Sequence, residues 1–387
     1  MIKNLRQIWF RRLQVVIIPW AALLKKEYAA IGGQAVIEGV MMRSPNAFVV
    51  AVRTPDGKIR LRRDQWYGLA NRFPFFKKPI LRGILVLVET MANGIVSLNY
   101  SANIAMDEEQ KQEALKKGKT LEAYELEKKA KEKVTWSTYI SIGLSFVFGI
   151  GLFVFLPHAL TALIEKWSGQ TWGLQSFEFH AVDGVIKAMV FLLYVFLIGL
   201  FPDVYRVFQY HGAEHKSIST FEAGEPLKVE NAEKYPTFHP RCGTTFVFFL
   251  LFISIILFSI VFAIFPVGEG LPLIAKHIAA MFFKVLLTFP IAGISYEIIK
   301  LMGKYAGTGW GQAISTPGRL MQKLTTKGPG PEQLEVALAS IQSVLLLEEQ
   351  YNLKAAAGKV VKLDEIEIEK LSDLNESNLH LKDFLEV

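Results

Sequence analysis

Residues 244–265 read TTFVFFLLFISIILFSIVFAIF, a run from Thr244 to Phe265 without one charged side chain. About 20 apolar residues wound as a helix match the roughly 30 Å hydrocarbon core of a bilayer. A soluble core does not need an uncharged run of this length that is apolar on every face. The stretch is therefore expected to cross a membrane, and it sets the class of the whole chain.

Three more runs share its character. Val134 to Ile164 carries no formal charge and is expected to end near Pro157. Another extends from about Gly184 to Pro202, with Lys187 able to snorkel at its start. The last, about Ala275 to Glu297, contains Lys284. A charge at mid-membrane costs about 2.5–3.5 kcal/mol, so Lys284 either snorkels or marks a polar path. The expected fold class is mainly α: a polytopic membrane protein with about four transmembrane helices, a small N-terminal cytosolic β unit, and interfacial or amphipathic helices. No internal repeat of the transporter kind is visible.

By length alone, 387 residues suggest two or three soluble domains. The apolar residues, 51% of the chain and including 28 Phe, are instead segregated into blocks, and the charges occupy other blocks. Residues 1–138 hold 24 Lys and Arg against 13 Asp and Glu. No nucleic-acid motif accompanies that excess, so it reads as the positive-inside bias and no nucleic-acid partner is expected. The loop between the second and third spans holds Arg206, Lys216, Lys228, Lys234 and Arg241, whereas the two loops on the other side hold Lys166 and Lys276. The loop between the second and third spans and both termini are therefore expected in the cytosol, with the bilayer as the main partner.

Outside the spans, residues 1–30 are expected as a basic interfacial helix with Trp9, Phe10 and Trp20 at headgroup level. Residues 31–106 hold the β unit. In it Phe48 to Arg53 has strand composition, Pro55-Asp56-Gly57 a turn, and Ile59 to Arg63 a weak alternation. Residues 79–104 carry Arg82, Glu89 and two Asn, too polar for a clear span, so an amphipathic or re-entrant helix is expected. Residues 107–133 read as a charged helical linker. Within the four-span region 134–302, the segment 203–243 is a cytosolic loop. Residues 303–350 are a cytosolic or interfacial segment in which 303–322 reads as a Gly-rich loop. Pro331 then opens a helix with Leu334, Leu338, Ile341 and Leu345 on one face. The tail 351–387 is variable and charged, with weak helical spacing.

Chemistry concentrates between the second and third spans. His211 and His215 are four apart and stack on one helical face, with Glu214 beside them. The order H-x-x-E-H is that of inverted zinc peptidases, in which the Glu is the general base. His239 and Cys242 follow in the same loop, so four N/S donors fall within about thirty residues, close to a complete zinc set. Cys242 is the single cysteine, which excludes an intramolecular disulfide. Three readings stand. If all four donors bind, the site is full and structural. If three bind, a fourth position is open to water and Glu214 can accept a proton. If none binds, the groups form a polar network. Glu297, at the cytosolic end of the last span, either pairs with Lys300 or Lys304 or supplies a further metal ligand.

These residues also resemble a known family. The segments Gly32 to Arg43, His211 to Lys216, Val229-Glu230-Asn231, His239 to Thr244, Ala292 to Glu297 and Leu324 to Ala337, in this order, are similar to the YqhQ-like bacterial membrane proteins. The likeness runs in register over about residues 30–350. It implies an integral membrane protein of a family of unknown function, described as predicted metal-dependent enzymes, with Glu38 and Arg43 near the same site as a flap.

The functional expectation is a metal-dependent hydrolase of zinc type at the cytosolic membrane face, acting on a membrane-proximal lipid or peptide. His211, His215 and either His239 or Glu297 would hold a divalent metal, Glu214 would be the base, and Arg241 would stabilise an anion. The alternative is a non-enzymatic scaffold or transport-related factor with a structural His/Cys metal site, in which the helix after Pro331 docks a partner.

Overall fold

In a computed structural model, the described residues are 27–28, 31–66, 73–117, 120, 136–240, 242–305, 308–350, 365–374 and 385–386. The expected N-terminal helix, most of the charged linker and Arg241 lie outside them.

The β unit is larger than expected. Four strands, β1 (Gly32–Val36), β2 (Gly39–Arg43), β3 (Ala47–Arg53) and β4 (Ile59–Gln65), form an antiparallel meander. The Gly-rich segment is itself a hairpin, with Gly33 opposite Met42. A fifth strand, β5 (Ile366–Ile368), pairs with β4 and comes from the tail where weak helical spacing was expected. The alternation of Ile366 and Ile368 satisfies a period of two, and pairing with β4 decides between the two patterns. Every residue from Ala47 to Val52 is buried, so β3 has both faces covered.

The helices are α1 (Leu81–Lys116), α2 (Trp136–Ile150), α3 (Leu156–Ser168), α4 (Phe177–Ile198), α5 (Pro202–Glu222), α6 (Val229–Ala232), α7 (Gly243–Ile264), α8 (Leu273–Lys304), α9 (Gly309–Thr325) and α10 (Pro331–Gln350). Five are long and apolar enough to cross a membrane: 81–106 within α1, 143–168 through α2 and α3, α4, α7, and 273–301 within α8. The expected number was about four, and α1 is the addition. Many large apolar side chains on these helices face outward, among them Val147, Phe148, Leu193, Ile264, Ile274 and Phe282. A belt of that kind suits lipid and not water.

One face of the sheet packs on α5 and α10, through Val49, Ala51, Leu61, Tyr210, Ala213, Leu338 and Ile341. Its other face, with Val36, Met41, Phe48 and Val50, is covered by Ile104 and Tyr100 of α1. So α1 leaves the end of α8, where Arg82 pairs with Glu297, brings Gly94 against Gln34 of β1, and lays Tyr100 and Ile104 on the sheet. Its polar groups were legible; the sheet face that they border was not.

Three other expectations change. The first span does not end at Pro157. A π turn at Gly151–Phe155 absorbs the proline, and the helix continues to Ser168. Residues 309–325 are helical, not a loop. Thr308 caps them by accepting the Gly311 N–H, and Gly318 permits close approach to Thr245 of α7. The helix α10 does present Leu334, Leu338, Ile341 and Leu345 to the core, but Val336, Ala337, Ala339, Val344 and Leu347 are buried too. A helix covered on all its faces over most of its length is a central element of the core.

Candidate metal centre

The site lies where α5, the start of α7, the end of α9 and β1 meet. The sequence of α5 explains the meeting. At Gly212 a Cβ would come within 2.1 Å of the Lys327 carbonyl oxygen, so only glycine lets the 325–328 segment lie against the helix. That segment is held there by the Lys327 N–H donating to the Phe208 carbonyl at 2.9 Å. The Thr325 carbonyl is thereby placed 2.9 Å from His211 Nδ1. Ala213, fully buried, faces the sheet. One turn after His211, His215 donates from Nδ1 to the Thr237 carbonyl at 2.6 Å.

Both rings are thus fixed in the same sense. With Nδ1–H committed to a backbone carbonyl, each Nε2 carries the lone pair. The rings lie 4.5 Å apart between centroids. Cys242 caps α7, its Sγ accepting the Thr244 N–H, and this puts Sγ 3.3 Å from His211 Nε2. Donor atoms of His211, His215 and Cys242 all lie within 4.8 Å of one another. Tetrahedral zinc with bonds of about 2.1–2.3 Å separates neighbouring donors by roughly 3.6 Å. His215 Nε2 is buried with no hydrogen bond of good geometry, and its polar neighbour is the Cys242 thiol. A buried lone pair left over in a ring whose other nitrogen is anchored is the signature of a ligand position. The three residues can hold one metal ion.

His239 stands beside this group and not in it. Its ring is 5.8 Å from that of His215, and its Nε2 lies 3.3 Å from Glu222 Oε2. Gln322 clamps its backbone, accepting from the His239 N–H at 2.9 Å and donating to its carbonyl at 2.8 Å. Burial pushes the His239 ring down to about 4 and also lowers His215, so both are neutral near pH 7.

Glu214 is buried and turned toward β1, where it accepts the Gly33 N–H. A Cβ at Gly33 would lie 2.8 Å from the Glu214 Cγ, which is why β1 has glycine at the crossing. Burial raises the carboxyl above its ordinary range; His211, His239 and the Gly33 N–H pull the other way.

A family model for proteins of unknown function, DUF1385, matches residues 78–347, from the start of α1 to the end of the α10 core. This chain belongs to the DUF1385 family. It is similar to the uncharacterized protein YqhQ of Bacillus subtilis (strain 168), 31% identical over 328 residues that cover 82% of this chain and 93% of the relative. The YqhQ-like resemblance read from the ordered motifs is borne out. No solved structure matches.

Glu297 and Arg43, both expected at the site of this DUF1385 protein, are elsewhere. Glu297 accepts from Arg82 on both oxygens, Nε to Oε1 at 2.6 Å and Nη2 to Oε2, and from the Ile80 N–H at 3.2 Å. Its partner is neither Lys300 nor a metal group but a residue over two hundred positions earlier, a pairing that chain distance hides. The expected flap is divided. Glu38, at φ 51°, holds Arg206 and Tyr210 of α5, so the hairpin is fastened to the helix that carries both histidines. Arg43 instead stacks on Trp66, 3.8 Å from the ring centre. Sequence reading missed Thr325, Thr237 and Gln322, which contribute backbone carbonyls or a clamp; Gly212 was the one visible hint of a close approach.

Proposed function

We propose that this chain is a membrane-embedded, metal-dependent hydrolase whose centre is His211, His215 and Cys242. The observation that carries the reading is the matched anchoring of both rings by Nδ1, which leaves two Nε2 lone pairs beside Sγ. Two imidazoles and one thiol suit zinc, and three protein donors leave one position of a tetrahedron open. A zinc ion held this way supplies a Lewis acid and lowers the pKa of water.

The remaining work falls to the chain's own groups. Glu214 holds or releases a proton at its carboxylate, whose proton affinity burial raises. Gly33 N–H orients the carboxylate. The Glu222–His239 pair stands beside the site, with the His239 ring buried and Glu222 part-exposed. Arg241 is the anion-binding group in this reading. Because Cys242 directly precedes α7, the substrate class is membrane-proximal: a lipid headgroup or membrane-bound peptide.

The topology proposed with it is four crossings, through α2–α3, α4, α7 and α8, in a bacterial inner membrane with both termini cytosolic. Helix α1 lies against the sheet and the bilayer surface, with Val88, Met91, Ile95 and Leu98 turned outward along one stripe.

A structural site is the second reading, favoured by the closeness of His239. A rotation of that ring away from Glu222 would complete a closed set of four. Metal analysis together with phenotype separates the two. The Glu214→Gln variant should keep its metal and lose function in cells; a fully functional Glu214→Gln would rule out the general-base role.

A further inference from the structure

A second set of polar groups lies at the other end of the bundle, away from the sheet. Asp183 and Lys187 of α4, His158 of α3, and Lys284 and His277 of α8 come together among apolar helices. Lys284 Nζ is 2.9 Å from Asp183 Oδ2, with both side chains 1% exposed, and Lys187 Nζ is 3.7 Å from the same oxygen. Lys284 Nζ also lies 3.2 Å from His158 Nδ1, and His158 Nε2 lies 2.9 Å from His277 Nδ1. His277 is part-exposed, near the start of α8.

The polarity of this chain of contacts follows from its first member. An ammonium only donates, so His158 Nδ1 accepts and the ring proton sits on Nε2. That proton is donated to His277 Nδ1, which puts the His277 proton on Nε2, at the rim. Every donor in the series points the same way. A buried ion pair that only fastened helices together would need no such file of rings leading to water.

Charge supplies the second argument. One carboxylate faces two ammonium groups, a surplus of one positive charge in an apolar bundle. The other titratable groups near the cluster are the buried His180 on α4, Glu165 on α3 and Lys276 on α8. From helix α7, Phe258 lies 5.0 Å from Lys187 Nζ and 5.5 Å from Lys284 Nζ. Loss of one proton removes the surplus.

We propose that Lys284 and Asp183 form a proton-binding site that exchanges one proton, through His158 and His277, with water at the bundle end distant from the sheet. On release, Lys284 passes a proton to His158 Nδ1, His158 passes its Nε2 proton to His277 Nδ1, and His277 gives its Nε2 proton to water. Uptake runs the same steps in reverse, and both rings change tautomer each time. The site makes the chain responsive to pH on one side of the membrane, and it is independent of the metal centre.

The test is solid-state NMR of the full chain in lipid bilayers with 15N-labelled histidine, from about pH 5 to about pH 9, a range that covers His and a buried Lys. Wild type should show His158 and His277 switching tautomer in one shared transition. Lys284→Met/Asp183→Asn, which removes a cation and an anion together, should hold His158 in one tautomer throughout. His277→Gln, at the rim, should slow the tautomer exchange of His158 tenfold or more without touching the buried pair. A His158 that never switches in wild type overturns the proposal, as does switching that is unchanged in the double variant or an exchange rate unchanged in His277→Gln.

Discussion

The Nε2 of His211 lies 3.3 Å from the Sγ of Cys242, across 31 residues of chain. Two separate devices create that contact. Gly212 admits the 325–328 backbone that turns the His211 ring, and the N-cap position of Cys242 aims its sulfur back along the start of α7.

Gly212→Ala should therefore disturb the centre without changing any donor. Its Cβ would collide with backbone, which cannot move aside as a side chain can, and overpacking of this kind costs about 1–3 kcal/mol. Unfolding in detergent should show that loss together with weaker metal retention. Gly33→Ala meets the Glu214 side chain instead, so activity should fall while metal content holds.

Acid should destabilise the fold through His239. Its folded pKa of about 4 lies below the ordinary value near 6.5, so the native state binds fewer protons in that interval. The stability is fully present above about pH 6.5 and is lost as pH falls toward 4, by up to about 3 kcal/mol. Unfolding of metal-free protein at several pH values should show this slope, and His239→Gln should flatten it.

The Arg82–Glu297 pair fastens α1 to α8. Arg82→Ala should cost about 1 kcal/mol, since the pair is partly exposed and bidentate. Glu297→Gln should leave metal content at the wild-type value, which metal analysis checks; a loss of metal would return Glu297 to the centre.

The four apolar runs were legible because length and scarcity of charge are enough to mark a helix that lipid can surround. So was the pairing of His211 with His215, a local property of helical spacing. What depends on distant partners was not. The role of α1 rests on the sheet face that Ile104 and Tyr100 cover, α9 on its contact with Thr245, and β5 on pairing with β4. Asp183 went unremarked although it stands four residues before Lys187 inside an apolar helix, a spacing that signals a buried ion pair. Cys242, which looked like the fourth member of the cluster, falls with His211 and His215 as the third, because Glu222 and Gln322 hold His239 aside.

Topology can be read directly. With four crossings, reporters fused at the N-terminus and inserted in the linker near residue 120 report the same side. If α1 crosses the bilayer, they report opposite sides.

The central claim is the three-donor centre, and the most direct measurement is the metal content of the purified full chain, wild type against Cys242→Ser, His215→Ala and His239→Gln. The account predicts about one zinc per wild-type chain, loss in the first two variants, and retention in His239→Gln. No metal in wild type, or equal retention in Cys242→Ser and His215→Ala, would contradict it.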